Sequence, residues 1–257
     1  MAADYFISDV HLGIEGPAEE EAKEERLVAL LDEMASDAGR LFINGDLFDF
    51  WFEYRRVVPS RSLKVLAALH RLSSAGIEVH YLAGNHDFAL GPYLSEEVGC
   101  ILHDEPFAME AGGRRFFLHH GDGLAKKDTG YRILKKVVRS GWAQALWRLV
   151  HPDLGLWLAR KVSGTSRHYT SGKDYGTTEY MDRRLEAWAE EGYDVIFLGH
   201  THHAEVRQLT GGSLYVNLGT WLGGGAPWAR YEDGELLVVR PDGTEQRFAV
   251  RGASARI

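Results

Sequence analysis

The chain has one cysteine, Cys100, among its 257 residues. Without a second thiol there is no intramolecular disulfide and no thiolate zinc site, which fits a reducing compartment. No apolar run approaches the ~20 residues a membrane-spanning helix needs, and Met1-Ala2-Ala3-Asp4 runs straight into a strand-like segment with no basic leader. The expectation is a cytoplasmic protein that is not integral to a membrane. Positive charge is scarce over most of the chain. The net charge is −8, yet residues 126–173 hold eleven Lys/Arg against two Asp/Glu, so the remainder carries −17. A basic groove along the body is therefore excluded, and nucleic acid is not expected as a partner. The local basic excess points instead to a local anionic partner. Internal repeats and low-complexity linkers are also absent, and no obligate protein partner is expected.

What is present is an ordinary globular composition, 45% hydrophobic and 26% charged. The length suits a single α/β domain, 1–257, carrying an insertion. Five strand-like runs each end in polar residues of one kind. Tyr5-Phe6-Ile7 empties into Ser8-Asp9-Val10-His11. Leu41-Phe42-Ile43 empties into Asn44-Gly45-Asp46-Leu47-Phe48-Asp49, where Gly45 has no side chain to block a close approach to Asp46. Val79-His80-Tyr81-Leu82 leads to Gly84-Asn85-His86-Asp87, Arg115-Phe116-Phe117-Leu118 to His119-His120-Gly121-Asp122, and Val195-Ile196-Phe197-Leu198 to Gly199-His200-Thr201-His202. Each cluster alone is common turn chemistry. Five at successive strand ends converge on one edge of an α/β sheet, where such folds place their sites.

Between these runs, Leu27, Leu30, Leu31 and Met34 predict one apolar helix stripe after a Glu-rich run, 19–25, read as a solvated face; Leu63, Leu66 and Leu69 predict a second helix. The aromatic run Phe48, Phe50, Trp51, Phe52 and Tyr54 is either core or the wall of a substrate groove. Residues 124–175 read as a helical insertion of mixed basic and apolar character, with Leu134, Val137, Val138, Trp142, Leu146, Leu149 and Val150 at helical spacing before Pro152 and Gly155 break it. Leu214-Tyr215-Val216 predicts another strand. Leu236-Leu237-Val238-Val239 and Phe248-Ala249-Val250 predict a closing hairpin around Pro241-Asp242-Gly243.

The candidate ligands are oxygen and imidazole only: Asp9, His11, Asp46, Asn85, His120, His200 and His202. Such a set suits Mn2+, Fe2+, Zn2+ or Co2+. Seven ligands exceed what one ion takes, and a shared Asp46 divides them into two sets of four for two ions about 3.5–4 Å apart. A pair of ions polarises a phosphoryl group from both sides and makes hydroxide available near neutral pH. The chemistry expected is hydrolysis of a phosphoester or phosphoanhydride.

These motifs, in this order from Asp9 to His202, resemble the calcineurin-like metallophosphoesterase superfamily. The resemblance implies a four-layer αββα sandwich of two facing mixed sheets. It implies one ion held by Asp9, His11, Asp46 and His202 and another by Asp46, Asn85, His120 and His200, with Mn2+ expected. It also implies that His86 hydrogen-bonds the scissile phosphate and Asp87 orients it, while Asp49 and Asp122 steer the histidines. Within the superfamily, His120-Gly121-Asp122-Gly123-Leu124, Asp128, Tyr131-Arg132 and the basic insertion to Ser163-Gly164-Thr165-Ser166-Arg167 resemble the UDP-2,3-diacylglucosamine pyrophosphohydrolases of lipid A biosynthesis. That implies water attack at the α-phosphorus, giving UMP and a lipid monophosphate. It implies an insertion acting as a lid, with substrate contacts from Asn85, Tyr131, Arg160, Ser166 and Arg167, and peripheral association with the anionic cytoplasmic face of the inner membrane. Two features depart from the pattern: His86 stands where the best-known members carry Arg, and the aromatic run is not their usual wording. Another phosphodiesterase or nucleotide pyrophosphatase of the superfamily remains the alternative. A non-catalytic binding module of the same fold is remote, because all seven ligands and His86 are intact.

Overall fold

The computed structural model describes residues 2–59, 62–124, 136–155, 157–158 and 179–252. Its strands form two sheets. The larger uses β1 (Ala3–Ile7), β2 (Ala38–Asn44), β3 (Glu78–Leu82), β4 (Cys100–His103), β10 (Trp228–Glu232), β11 (Glu235–Val239) and β12 (Glu245–Ala249), in the order β12-β11-β10-β1-β2-β3-β4. The smaller uses β5 (Phe107–Ala111), β6 (Arg114–Leu118), β7 (Val195–Leu198), β8 (Glu205–Gln208) and β9 (Leu214–Asn217), ordered β5-β6-β7-β9-β8. β1 to β4 run parallel, as do β6, β7 and β9, while β10–β12, β5 and β8 pair antiparallel.

Alternation along the strands explains the layers. Phe6 and Phe42 point to one face of the larger sheet and meet Phe116, Phe197, Leu214 and Val216 of the smaller. The Phe6 ring stacks on Phe197 at 4.3 Å, Phe42 at 5.1 Å and Phe116 at 5.8 Å. Truncating so central a ring to alanine costs about 3–5 kcal/mol. The alternate residues Tyr5, Ile7, Leu41, Ile43, Val79 and Tyr81 face α1 (Pro17–Met34) and α2 (Leu63–Ser74). On the far side of the smaller sheet, Ile196, Leu198 and Tyr215 bury Leu185, Trp188 and Ala189. Those three stand on α4 (Glu179–Glu190); α3 is Gly141–Trp147. Helix, sheet, sheet, helix is the four-layer sandwich the resemblance implied.

Several local expectations change. α1 starts with Pro17 at its first turn, where a missing N–H costs nothing, and the Glu-rich run is not wholly solvated, since Lys23 is fully buried within it. Leu63 is 68% exposed; the inward stripe of α2 is Val65, Leu66, Ala68, Leu69 and Leu72. The closing hairpin forms around Pro241-Asp242-Gly243, but its second strand ends at Ala249 and leaves Val250 outside. Among the described residues of the insertion, 136–139 and 152–155 are helical in addition to α3. No described helix is long and apolar enough to cross a membrane.

Candidate metal centre

Five parallel strands, β1, β2, β3, β6 and β7, deliver their carboxyl ends to one edge of the sandwich. The chain turns abruptly there. Asp9 (φ 52°), His11 (φ 52°), Asp46 (φ 55°), His200 (φ 68°) and His202 (φ 58°) all adopt left-handed backbone, and only Ser62 and Asp233 join them among the described non-glycine residues. A left-handed residue with a side chain costs roughly 1–2 kcal/mol, and such strain persists only where surrounding contacts over-determine it. Gly45 and Gly84 make the crowding possible. A Cβ on Gly45 would collide with the His120 ring, and one on Gly84 with the Asp46 carboxylate.

The seven side chains form two donor clusters that meet at Asp46. Asp9, His11 and His202 make one, and Asp46, His120 and His200 the other, each with its ligand atoms within 4.8 Å of one another. In the first, His11 Nε2 lies 2.9 Å from His202 Nε2 and 3.9 Å from Asp9 Oδ1, which is itself 3.5 Å from His202 Nε2. In the second, Asn85 Oδ1 lies 3.0 Å from His120 Nε2 and 2.7 Å from His200 Nδ1. Asp46 Oδ2 stands between them, 3.7 Å from His11 Nε2 and 3.2 Å from His120 Nε2. Two imidazole nitrogens facing each other beside buried carboxylates, with Asp9 Oδ2 lacking a hydrogen-bond partner, are donors that converge on a cation. This chemistry fits a divalent metal bound by nitrogen and oxygen.

The electrostatics agree. Burial disfavours a charged His120, yet Asp46, Asp9 and Asp122 outweigh it and raise its pKa to about 10. Burial, with His120 alongside, pushes His200 down to about 4. The carboxylates thus outweigh burial at His120, while burial favours the neutral form of His11 and His200, the form in which an imidazole binds a metal. His120 is braced in the usual manner for a metal-binding histidine, Nδ1–H donating to the Asn44 carbonyl at 2.9 Å. His86 lies against the same cluster, its ring 4.8 Å from that of His11, with Nδ1 3.0 Å from the Asp49 carbonyl and 3.3 Å from its carboxylate. Burial works against its cation, but Asp46 and Asp49 prevail and raise its pKa to about 9.

Asp87 departs from the role the resemblance implied. It is fully buried, and the carboxylate beside His86 Nδ1 is that of Asp49. Asp87 instead accepts the amides of Asp46 at 3.1 Å, Leu47 at 2.8 Å, Phe48 at 3.3 Å and Gly84 at 2.9 Å, and the Tyr81 hydroxyl. It holds the left-handed Asp46 loop against the Asn85 loop. Sequence reasoning also passed over Asn217, whose amide donates to Gly199 O at 3.1 Å and Thr201 Oγ1 at 3.0 Å, and Thr220 and Trp221, which hold the Asp9 carbonyl at 2.9 and 3.1 Å. A strand ending in a side-chain amide was the available signal for Asn217.

The aromatic run divides. Phe48, Trp51 and Phe52 are core, while Phe50 and Phe52 present rings to Trp147 of α3 at 6.4 and 6.3 Å. Glu53 anchors the run by accepting Trp51 Nε1 and the amides of Gly91, Tyr93 and Leu94. Arg148 reaches the Glu53 carbonyl at 3.4 Å, and Arg139 reaches Asp104 O at 2.8 Å and Gly84 O at 3.2 Å, so the insertion docks beside the Asn85 loop. Its other face is bare: Trp142 is 62%, Leu146 58% and Leu149 82% exposed. Tyr131, Arg160, Ser166 and Arg167 lie outside the described residues.

Comparison with known proteins agrees with the fold and the site. The chain matches the calcineurin-like phosphoesterase family over residues 5–204, and it belongs to that family. It is 38% identical to a UDP-2,3-diacylglucosamine hydrolase of Porphyromonas gingivalis over 164 residues, 63% of either chain and so a little under two thirds of that relative's length. It is 29% identical to a UDP-2,3-diacylglucosamine hydrolase of Escherichia coli O9:H4 over 248 residues, 95% of this chain and 97% of that one. Among solved structures, a dimetal phosphatase from Danio rerio has the same fold, with a TM-score of 0.55 at 16% identity over 97% of this chain and 99% of that one.

Proposed function

We propose that the chain hydrolyses the pyrophosphate bond of UDP-2,3-diacylglucosamine to UMP and 2,3-diacylglucosamine 1-phosphate, at a centre of two divalent ions, with Mn2+ the expected metal. Asp9, His11, Asp46 and His202 would hold one ion, and Asp46, Asn85, His120 and His200 the other. The ions would supply polarisation of the phosphoryl group and activation of water. The protein supplies the rest. With Nδ1 turned to Asp49, His86 would donate from Nε2 to a phosphate oxygen, and its raised pKa keeps the proton in place for that bond. Preorganised donors of this kind act where charge develops in the transition state. Asp87 acts at one remove, fixing the backbone that presents Asp46.

The observation that carries the substrate reading is the bare apolar surface of Trp142 and Leu146 on α3 and of Leu149 in the turn after it, on a segment that Arg139 hooks to Gly84, next to Asn85. An acyl-bearing substrate needs such a surface beside the phosphate site, and a soluble nucleotide does not. The relatives' activity on UDP-2,3-diacylglucosamine supports the same choice. In this reading the insertion is a lid; Tyr131, Arg160, Ser166 and Arg167 contact the substrate with Asn85, and the basic residues draw the protein to the anionic cytoplasmic face of the inner membrane as a peripheral enzyme. His86, standing where the best-known members carry Arg, favours one other reading, a phosphodiesterase or nucleotide pyrophosphatase of the same family. Incubation with Mn2+ and UDP-2,3-diacylglucosamine in 18O-water, beside soluble nucleotide-sugar controls, separates the two. UMP carrying 18O from the diacyl substrate alone is expected; equal release from the soluble controls would replace the lipid reading with the broader one.

A further inference from the structure

His11 has no brace of its own behind the metal-facing nitrogen of its ring. Its backbone is left-handed (φ 52°), and its Nδ1 is buried without a hydrogen-bond partner among the described residues. Metal-binding histidines ordinarily fix their ring through the second nitrogen, as His120 does here with Asn44. What holds His11 is its main chain. Its N–H donates to the Asp46 carbonyl at 2.9 Å, and its own carbonyl accepts Lys23 Nζ at 2.9 Å.

Lys23 is an unusual residue to find there. It stands on α1 with no exposed surface, and a buried ammonium is costly unless every donor is met. Its three donors find three acceptors: the His11 carbonyl, Glu15 Oε2 at 3.1 Å and Glu20 Oε2 at 3.2 Å. The two glutamates carry the tether further. Glu20 accepts the amides of Gly13 at 2.6 Å and Glu15 at 3.2 Å, and Glu15 accepts Gly223 N at 2.9 Å. Gly223 follows Thr220 and Trp221, which hold the left-handed Asp9. One network, buried at Lys23 and opening to the surface at Gly223, therefore reaches both ligands of the loop between β1 and α1. Two carboxylates against one ammonium leave it with a net negative charge, so it does not oppose a cation nearby.

We propose that Lys23, neutralised by Glu15 and Glu20, is a positioning residue for the Asp9, His11 and His202 pocket: its ammonium fixes the carbonyl of a left-handed ligand whose ring has no brace of its own. This rests on the two-ion reading of the centre. A lysine that merely ties α1 to the body would lower the stability of the whole chain and weaken both ions alike.

The test is a Mn2+ titration of the full chain followed by EPR, with Lys23→Met as the first variant. The wild type should take up two Mn2+ with a spin-coupled spectrum. Lys23→Met should keep one ion at near wild-type affinity and weaken the other about 10- to 100-fold, the range for losing a partner behind a metal ligand, so that a near-stoichiometric sample shows the six-line signal of isolated Mn2+. Two ions at wild-type affinity, or equal weakening of both, overturns the proposal. Glu15→Gln, which leaves the Lys23–His11 bond, keeps it testable should Lys23→Met not fold. A smaller loss confined to one ion supports the proposal, and none, or a loss shared by both, overturns it. A wild-type chain that takes up a single Mn2+ overturns the two-ion reading and this proposal with it.

Discussion

The metal centre and the insertion are built on opposite plans. Around the centre, Asp9, His11, Asp46 and His120 are each at most 2% exposed, five candidate ligands hold strained left-handed backbone, and the amides of Asp9, His11, Asp46, His86 and His200 all donate within the centre. The described insertion, by contrast, touches the body through Trp147, Arg148 and Arg139 and leaves Trp142, Leu146 and Leu149 in solvent. Strain over-determined by many contacts belongs to chemistry that needs fixed geometry; a lightly docked apolar face belongs to a partner not yet in place. Changes at the centre should therefore act on every substrate, and changes on the bare face only on a lipid one.

The largest effect should follow at the junction of the two donor clusters. Asp46→Ala removes the one oxygen that lies within 3.7 Å of both His11 and His120. Loss of turnover on every substrate and loosening of both ions by elemental analysis are expected; two tightly held ions with near-normal rates would break the shared-ligand assignment.

Next in size is His86→Ala. Losing a donor aimed at developing charge lowers kcat about 10²–10³-fold, here equally for UDP-2,3-diacylglucosamine and bis(p-nitrophenyl) phosphate, with both metals retained. Because His86 also lies within ligand distance of His11 and Asp46, elemental analysis of the same variant decides its class. Loss of an ion would make it a ligand.

The third prediction crosses to the insertion. Trp142→Ser or Leu149→Ser removes an exposed side chain that touches little of the body, so the melting temperature should hardly move. Each contact with an acyl chain is worth about 1.5–3 kcal/mol, so kcat/KM on the diacyl substrate should fall ten-fold or more. Turnover of bis(p-nitrophenyl) phosphate should persist. Parallel loss on both substrates would erase the division between the two regions.

How much of this the sequence disclosed follows the same division. The convergence of the candidate ligands was legible because oxygen and imidazole donors recur at strand ends, and the structure brings them together on either side of Asp46. The strands β4, β5, β8 and β10 were not, since runs such as Phe107-Ala108-Met109-Glu110-Ala111 alternate too weakly to stand out from a loop. Lys23 was hidden in a run of glutamates that looks like any solvated helix start, and only its fold places Glu15, Glu20 and His11 O around it. Asp87 was singled out, but what it holds was not legible. Its partners are backbone amides from a loop 39 to 41 residues away, and main-chain donors leave no mark in side-chain spelling.

The smallest effect lies at the seam, where Arg139 reaches from the insertion to the Gly84 carbonyl beside Asn85. Two outcomes are distinguishable. If the guanidinium only hooks the insertion in place, Arg139→Ala lets water take over the Gly84 and Asp104 carbonyls, and the metal loop keeps its shape through Asp87 and the Asp46 Oδ1 contact to His86 N at 2.9 Å. A part-buried hydrogen bond from a charged group contributes on the order of 1–2 kcal/mol. That would cut kcat/KM on the diacyl substrate roughly five- to thirty-fold, while Mn2+ affinity and bis(p-nitrophenyl) phosphate turnover stay put. Pairing it with Trp147→Ser in a double-mutant cycle sharpens the point: two hooks on one element should be non-additive, because once the insertion is loose the second loss matters little. Should Arg139→Ala weaken Mn2+ instead, the Asn85 loop depends on the insertion for its shape, and the centre and the lid are one device.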